Sequence, residues 1–281
     1  MSKKKEIKEP KYLPSPLANK MINYKVYYMS ASEKILYFLI TFVLGGLVGN
    51  VFYGGLFKYE GEATMATYIS NTVIFVIVGL IAAKVFLPTI NENLKEKRAK
   101  RLTKQFTDML EGLSASLSAG NTVNDAFINA KTDLLNQYSE SDYIVVELNE
   151  IISGLHNGKT LEEMIYAFGK RSNNEDIENF ANVMSNCYRL GGNFRDVVRK
   201  TRNIISDKFA ISDEINTKIA SNKLQLNAMS IMPIALVALL KMMNESFAEN
   251  LASPIGIIVT TLAVATLVGA YRWGKKIIDI R

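Results

Sequence analysis

Apolar residues gather in four long runs, two near each end of the chain, with a polar stretch between the pairs. The first, KILYFLITFVLGGLVGNVFYGGLF, spans 34–57. The second, TYISNTVIFVIVGLIAAKVFLP, spans 67–87 and closes on Pro88. A helix of about 20 apolar residues crosses the ~30 Å hydrocarbon core of a bilayer, so both are long enough. The one charge in the second run, Lys84, lies within a turn of its end, where a long side chain reaches the interface. Only KYEGEATMA separates the two runs, which predicts a membrane hairpin. The third run, LQLNAMSIMPIALVALLKMM at 224–243, contains Pro233. Proline lacks an N–H, so a kink or a junction over Asn227 to Pro233 is expected there. The fourth, at 254–274, carries Tyr271 and Trp273 at its end, as an interfacial belt requires. It completes a second hairpin.

Between the hairpins, over 88–223, the apolar spacing is helical. Phe106, Met109, Leu110, Leu113 and Leu117 follow i, i+3, i+4, i+7, i+11, and strand-like alternation is scarce. A pattern of apolar residue, glycine and polar cap occurs three times, around Gly120, Gly158 and Gly191. Glycine supplies the left-handed residue that ends one helix, and a polar residue just beyond starts the next. Thr122 with Asp125, Thr160 with Glu163, and Asn193 with Asp196 have the spacing of a cap and its third-position acid, and Thr160 to Glu163 is the strict capping box. A solenoid would show such a recurrence. Three turns of a small bundle explain it as well, and the bundle is the reading adopted.

Charge sets the orientation. The chain has a net charge of +6, yet residues 88–223 hold 18 Lys/Arg against 19 Asp/Glu, so the excess lies in the basic tails at 1–33 and 275–281. A block so balanced offers no basic face for a phosphate backbone, which excludes nucleic acid as a partner. The N-terminal tail, the run Lys95, Lys97, Arg98, Lys100, Arg101, Lys104, and Arg272, Lys275, Lys276 flank one side of the predicted spans. The loops at 58–66 and 244–253 hold one Lys and four Glu. The positive-inside rule therefore places both termini and the central domain in the cytoplasm. No cleaved signal is expected, because the first apolar run starts late and exceeds a signal-peptide core in length.

Candidate chemistry is sparse. His156 has no second His or Cys nearby to complete a metal set and sits in a predicted turn. Cys187, the single cysteine, lies on an apolar helix face with Phe180, Val183 and Met184, which reads as core. Glu175, Asp176 and Glu178 suit the start of a helix by dipole compensation, or a cation. No phosphate-binding G-x-x-x-x-G-K-[ST] sequence is present, so ATP-driven work must come from another protein. Lys84 and Lys241 lie near span ends, which leaves no ion path of the kind a transporter needs. No catalytic, cofactor or metal residue is expected, and no enzyme. Gly45 and Gly49 form a GxxxG that serves either intramolecular packing or contact with a second copy.

QFTDMLEGLSASLSAGNTVNDAF, GLHNGKTLEEMI and NFANVMSNCYRLGGNFRDVVRKT resemble the cytoplasmic domain of the type II secretion F family. The end of the chain, with SNKLQLNAMSIMPIALVALL, SPIG and KKIIDIR, is more specifically similar to the platform proteins of tight-adherence (Tad) pili. The similarity covers about 88–281, and Gly120, Gly158, Gly191 and Gly192 carry it best. It implies an all-α membrane protein, with four transmembrane helices as two hairpins flanking one cytoplasmic helical bundle. It also implies work at the base of a type IV-like pilus in the inner membrane, beside a cytoplasmic secretion ATPase, pilin subunits and membrane lipid. A second, TadC-like platform protein or further copies of this chain would complete the assembly. One such domain is present rather than two tandem copies. Archaellum and type II secretion platform proteins are the alternatives within the family, and a small membrane transporter lies outside it. If the glycine turns are exposed tips, Lys159, Arg189, Gly191, Gly192, Asn193 and Arg195 are the candidate partner contacts. The alternative is that these glycines only terminate helices.

Overall fold

Helical spacing dominates, and the chain follows it. A computed structural model describes residues 9–57, 62–189 and 193–278, with the side chains at 188, 189, 213, 216 and 218 outside the description. In order come β1 (Tyr12–Pro14), β2 (Lys20–Ile22), α1 (Ala31–Tyr53), α2 (Met65–Ser118), α3 (Val123–Leu134), α4 (Tyr143–His156), α5 (Leu161–Ser172), α6 (Glu175–Arg189), α7 (Phe194–Met243), α8 (Glu245–Ala252) and α9 (Pro254–Ile278). The residues separate into two units, one of 1–28 with 91–211 and one of 29–90 with 212–281.

The first unit is the bundle. The stripe read from the sequence on α2 is its spine, since Phe106, Met109, Leu110, Leu113 and Leu117 are all buried. Against it pack Phe127 and Ala130 of α3, Leu148 and Ile151 of α4, Met164 and Phe168 of α5, and Phe180 and Met184 of α6. The Phe106 ring lies 5.4 Å from Phe180 and 6.2 Å from Phe168. Burying each such side chain contributes about 1.5–3 kcal/mol, which holds helices that would be marginal alone. Cys187 is half-buried and Val183 is 50% exposed, so that face is only partly core. The helix rotates Val183 away from Phe180 and Met184.

The helices alternate in direction. Arg101 and Gln105 of α2 both donate to Asp142 in the α3–α4 connection, at 2.5 and 2.9 Å, and Thr103 accepts from Asn174 in the α5–α6 turn at 2.6 Å. Those two connections therefore lie beside residues 101–105. The connections after α2 and α4, and the start of α7, lie at the opposite end of the bundle, ~22 Å along α2 by helical rise.

Residues 12–28 were expected within a basic tail, and here the fold departs from that expectation. β1 pairs antiparallel with β2, Leu13 opposite Met21. The segment after β2 lays the Tyr24 ring into the bundle core, edge-on to Tyr143 at 5.8 Å. The lysines around this strap hid a short apolar signal, Tyr12, Leu13, Met21, Ile22 and Tyr24.

The second unit contains most of the apolar helix. Ala31–Tyr53, parts of Met65–Ser118, Ile219–Met243 and Pro254–Ile278 are each long and apolar enough to cross a membrane. Many of their large side chains are exposed, among them Leu44, Ile81, Leu236 and Leu262. Such apolar surface suits lipid rather than water. α1 starts three residues before the predicted run, where the Glu33 carboxylate accepts from the Ser30 N–H at 2.8 Å. The GxxxG is used inside the chain. A Cβ on Gly45 would lie 2.4 Å from that of Ala82, and one on Gly79 would lie 2.7 Å from the carbonyl oxygen of Phe42.

The boundary expected at 88 lies within α2, close to the division between the two units after residue 90. The expectation at Pro233 is corrected, since α7 is one unbroken helix through it rather than a junction. Proline forfeits a single backbone bond, a loss that membrane helices tolerate when nearby hydroxyls and neighbouring helices compensate. Ser230, close by, donates to the Leu226 carbonyl at 2.7 Å. The loop after α7 contains the short α8, whose first turn is capped by the Asn244 side chain accepting from Phe247 N–H at 3.1 Å.

Candidate partner surface

At the end of the bundle where α2 stops, two of the three predicted glycine turns lie within the described residues. Gly120 has φ +87° and Gly158 φ +77°, a region in which a Cβ would strain the backbone. Each next helix starts as its spacing predicted. Thr122 Oγ1 accepts from Asp125 N–H at 3.2 Å, Thr160 Oγ1 from Glu163 N–H at 3.2 Å, and Asn193 Oδ1 from Asp196 N–H at 3.4 Å. Gly191 and Gly192 lie outside the described residues, as does the Arg189 side chain.

The remaining candidates can be placed. Lys159 is half-buried and bonds Glu163 at 3.2 Å, one turn on. That pair draws the Glu163 carboxylate to the lysine. Asn193 is exposed, and its amide nitrogen donates to Asp196 at 2.7 Å. Arg195 is exposed on the first turn of α7. The alternation of helices thus brings Lys159, Asn193 and Arg195 to the same end of the bundle. That end presents the exposed Asn193 and Arg195 beside the half-buried Lys159.

His156 is exposed at the last turn of α4. Of the acidic run, Glu178 pairs with Lys170 at 2.5 Å and Asp176 with Lys208, so both are engaged within the bundle. The Lys170 bond holds the Glu178 carboxyl below its usual range. Among the described residues no group of His, Cys, Asp and Glu is placed to hold a metal ion.

At the other end lies a polar cluster that the sequence reading missed. Glu147 of α4 is fully buried and takes a two-pronged bond from Arg171 of α5, both N–H···O distances 2.9 Å. The Tyr24 hydroxyl donates to Glu147 at 3.1 Å, and Tyr24 N–H donates to the Arg171 carbonyl at 3.0 Å. Glu150 accepts from Ser15 at 2.5 Å and from Asn19 at 3.0 Å. Arg98 of α2 donates to the Tyr24 and Val26 carbonyls at 3.2 and 2.5 Å. The strap is therefore keyed to three helices by charge. Burial pushes the Glu147 carboxyl above the usual carboxylate range, although Arg171 and Tyr24 pull it back. Burial, then Glu147, raises the Tyr24 hydroxyl well above its ordinary value. A signal was present in the sequence: Glu147 stands four residues from both Tyr143 and Ile151, and Arg171 three from Phe168, all on apolar stripes.

Residues 109–240 match the family model for type II secretion system (T2SS), protein F. The matched stretch is a little under half of the chain, and runs from the α2 spine through α3 to α6 and along most of α7. The turns described above lie within the matched stretch. No curated protein and no solved structure matches the chain.

Proposed function

We propose that this chain is a non-enzymatic platform protein of a type IV-like pilus machine, TadB-like and of the tight-adherence branch, on which a cytoplasmic secretion ATPase acts to assemble pilin. The observation that carries this reading is the match of residues 109–240 to the protein F family model. The match begins in α2 and ends in α7, two helices that each also contain an apolar stretch long enough to cross a membrane. A second platform protein of the same family, or further copies of this chain, would complete the base. The glycine-turn end of the bundle is the surface offered to the ATPase, through Lys159, Asn193, Arg195 and the neighbouring Arg189, Gly191 and Gly192. The test is co-purification with a hexameric ATPase, compared between wild type and Arg189→Glu/Arg195→Glu. Reversing charges costs under ~1 kcal/mol when they are only solvated. The double variant should insert and melt as wild type, lose the ATPase and assemble no pili. Normal pili together with wild-type ATPase retention would remove this surface from the mechanism.

The same reading places both termini and the bundle in the cytoplasm of the inner membrane, with the loops before α2 and around α8 outside. In a Cys187→Ser background, Glu62→Cys and Glu249→Cys should react with an impermeant maleimide added to intact cells. Glu140→Cys, exposed in the α3–α4 connection, should react only after permeabilisation. The inverse pattern would reverse the orientation.

A further inference from the structure

The bonds within the strap, residues 9–28, close it into one piece. Beside the β1–β2 pairing, Ser15 N–H donates to the Asn19 carbonyl at 2.9 Å, and Ser15 Oγ accepts from the Leu17 and Asn19 N–H groups, both at 3.1 Å. Asn23 N–H donates to the Lys11 carbonyl at 3.0 Å, and its side-chain amide donates to the Pro10 carbonyl at 3.0 Å. The Tyr28 hydroxyl joins the two ends by donating to the Glu9 carbonyl at 2.6 Å. The turn is strained, since Ala18 has φ +61°, a region that a residue with a Cβ enters at a cost.

The hold of this piece on the bundle is small and polar. Met21 and Tyr24 are its buried apolar side chains, with Leu17 and Ile22 half-buried against the core. The α2 spine alone buries Phe106, Met109, Leu110, Leu113 and Leu117. The strap's outward bonds converge on Arg98, Glu147, Glu150 and Arg171, and breaking them strands no charge. Glu147 keeps both bonds from Arg171, at 2.9 Å. Glu150 accepts from the neutral Ser15 and Asn19, whose place water takes, and a carboxylate that exchanges neutral donors for water loses little. A segment with few buried apolar contacts opens below the free energy of global unfolding.

We infer that the strap is a releasable latch: residues 9–28 leave the bundle as one piece while its helices stay folded. Only Met29 and Ser30 separate the strap from α1. Closed, the latch ties the start of α1 to α4 and α5. Open, it leaves α1 joined to the bundle, along the chain, through α2 alone. The inference is independent of the pilus role.

It is tested by hydrogen–deuterium exchange on the full chain, purified in detergent at neutral pH. The Asn23 and Tyr24 amides, bonded to the Lys11 and Arg171 carbonyls, should exchange at least ~100-fold faster than those of Phe106 to Leu113 once intrinsic rates are divided out. Ile165→Val, in the core of α5, destabilises latched and unlatched forms alike. It should therefore speed the spine amides by about 2- to 10-fold and leave the strap amides at their wild-type rate. Tyr24→Phe removes the hydroxyl bond to Glu147 and should speed strap exchange ~10-fold. Labelling of Glu150 by a water-soluble carbodiimide should rise in Tyr24→Phe by the same factor, because one opening event exposes both. Strap amides as slow as the spine in the wild type overturn the inference, and that comparison stands even if a variant fails to fold. Strap amides that accelerate with the spine in Ile165→Val also overturn it, as does Glu150 labelling that does not follow strap exchange.

Discussion

Arg171→Met should lower the melting temperature of the detergent-solubilised protein by about 10 °C at neutral pH, from a loss on the order of 3–5 kcal/mol. Glu147 is fully buried, and Arg171 supplies both of its charged donors. Without the guanidinium, only the Tyr24 hydroxyl remains to stabilise a carboxylate taken out of water. Replacing both partners, as Arg171→Met/Glu147→Met, removes that stranded charge and should recover most of the loss. Arg171 Nε already has no partner among the described residues, so the native pair is itself incompletely satisfied.

The deficit should also depend on pH, with a sign that can be worked out. Burial already raises the Glu147 carboxyl, and Arg171 is the strongest group opposing that rise. Losing Arg171 raises it further, so the folded variant holds a proton more tightly than the unfolded chain does. Stability then falls as pH rises from the ordinary carboxylate range through the folded pKa, and returns on acidification. The gap between wild type and Arg171→Met should therefore narrow from pH 8 to pH 5. A gap that is constant, or that widens toward acid, would show that the lost stability comes from packing rather than from the stranded charge.

Prying α1 from α2 should be nearly as damaging. Gly79→Ala would set a methyl 2.7 Å from the Phe42 carbonyl oxygen, and Gly45→Ala would set one 2.4 Å from Ala82 Cβ. In the first case the obstacle is backbone, and no rotamer relieves it. Each substitution should cost about 1–3 kcal/mol or more, since close helix contact is the main attraction available to helices in lipid. Gly269→Ala is the internal control, because nothing lies within 4 Å of the added Cβ. It should be neutral or slightly stabilising through helix propensity. If all three variants melt together, the close contact of α1 with α2 contributes nothing.

These two sites differ in how far the sequence announced them. Turn chemistry was legible because it is local: Thr122, Thr160 and Asn193 each bond a backbone N–H three residues on, as their spacing required. The α2 spine was legible because Phe106 to Leu117 repeat at helical spacing. The partner of the GxxxG was not, since glycine records only that something comes close. The strap was hidden for another reason: its strands are three residues each, too short for periodicity, and its anchors Glu147, Glu150 and Arg171 lie more than a hundred residues away in sequence. Pro233 misled because the rule against proline in a helix is calibrated in water. Of the candidate contact residues, the turns fixed the positions of Lys159, Asn193 and Arg195, but their pairing with neighbours such as Glu163 depends on side-chain geometry that spacing alone does not determine.

The alternating helices have a consequence in parity. From α2 to α7 the described bundle holds six helices, an even number, so the chain leaves by the end through which it entered. Adding or deleting one helix would send the chain out of the opposite end, beside Gly120 and Gly158. The domain can therefore grow or shrink only by hairpins, two helices at a time. A single-helix insertion that left the core intact would still misdirect everything C-terminal to it.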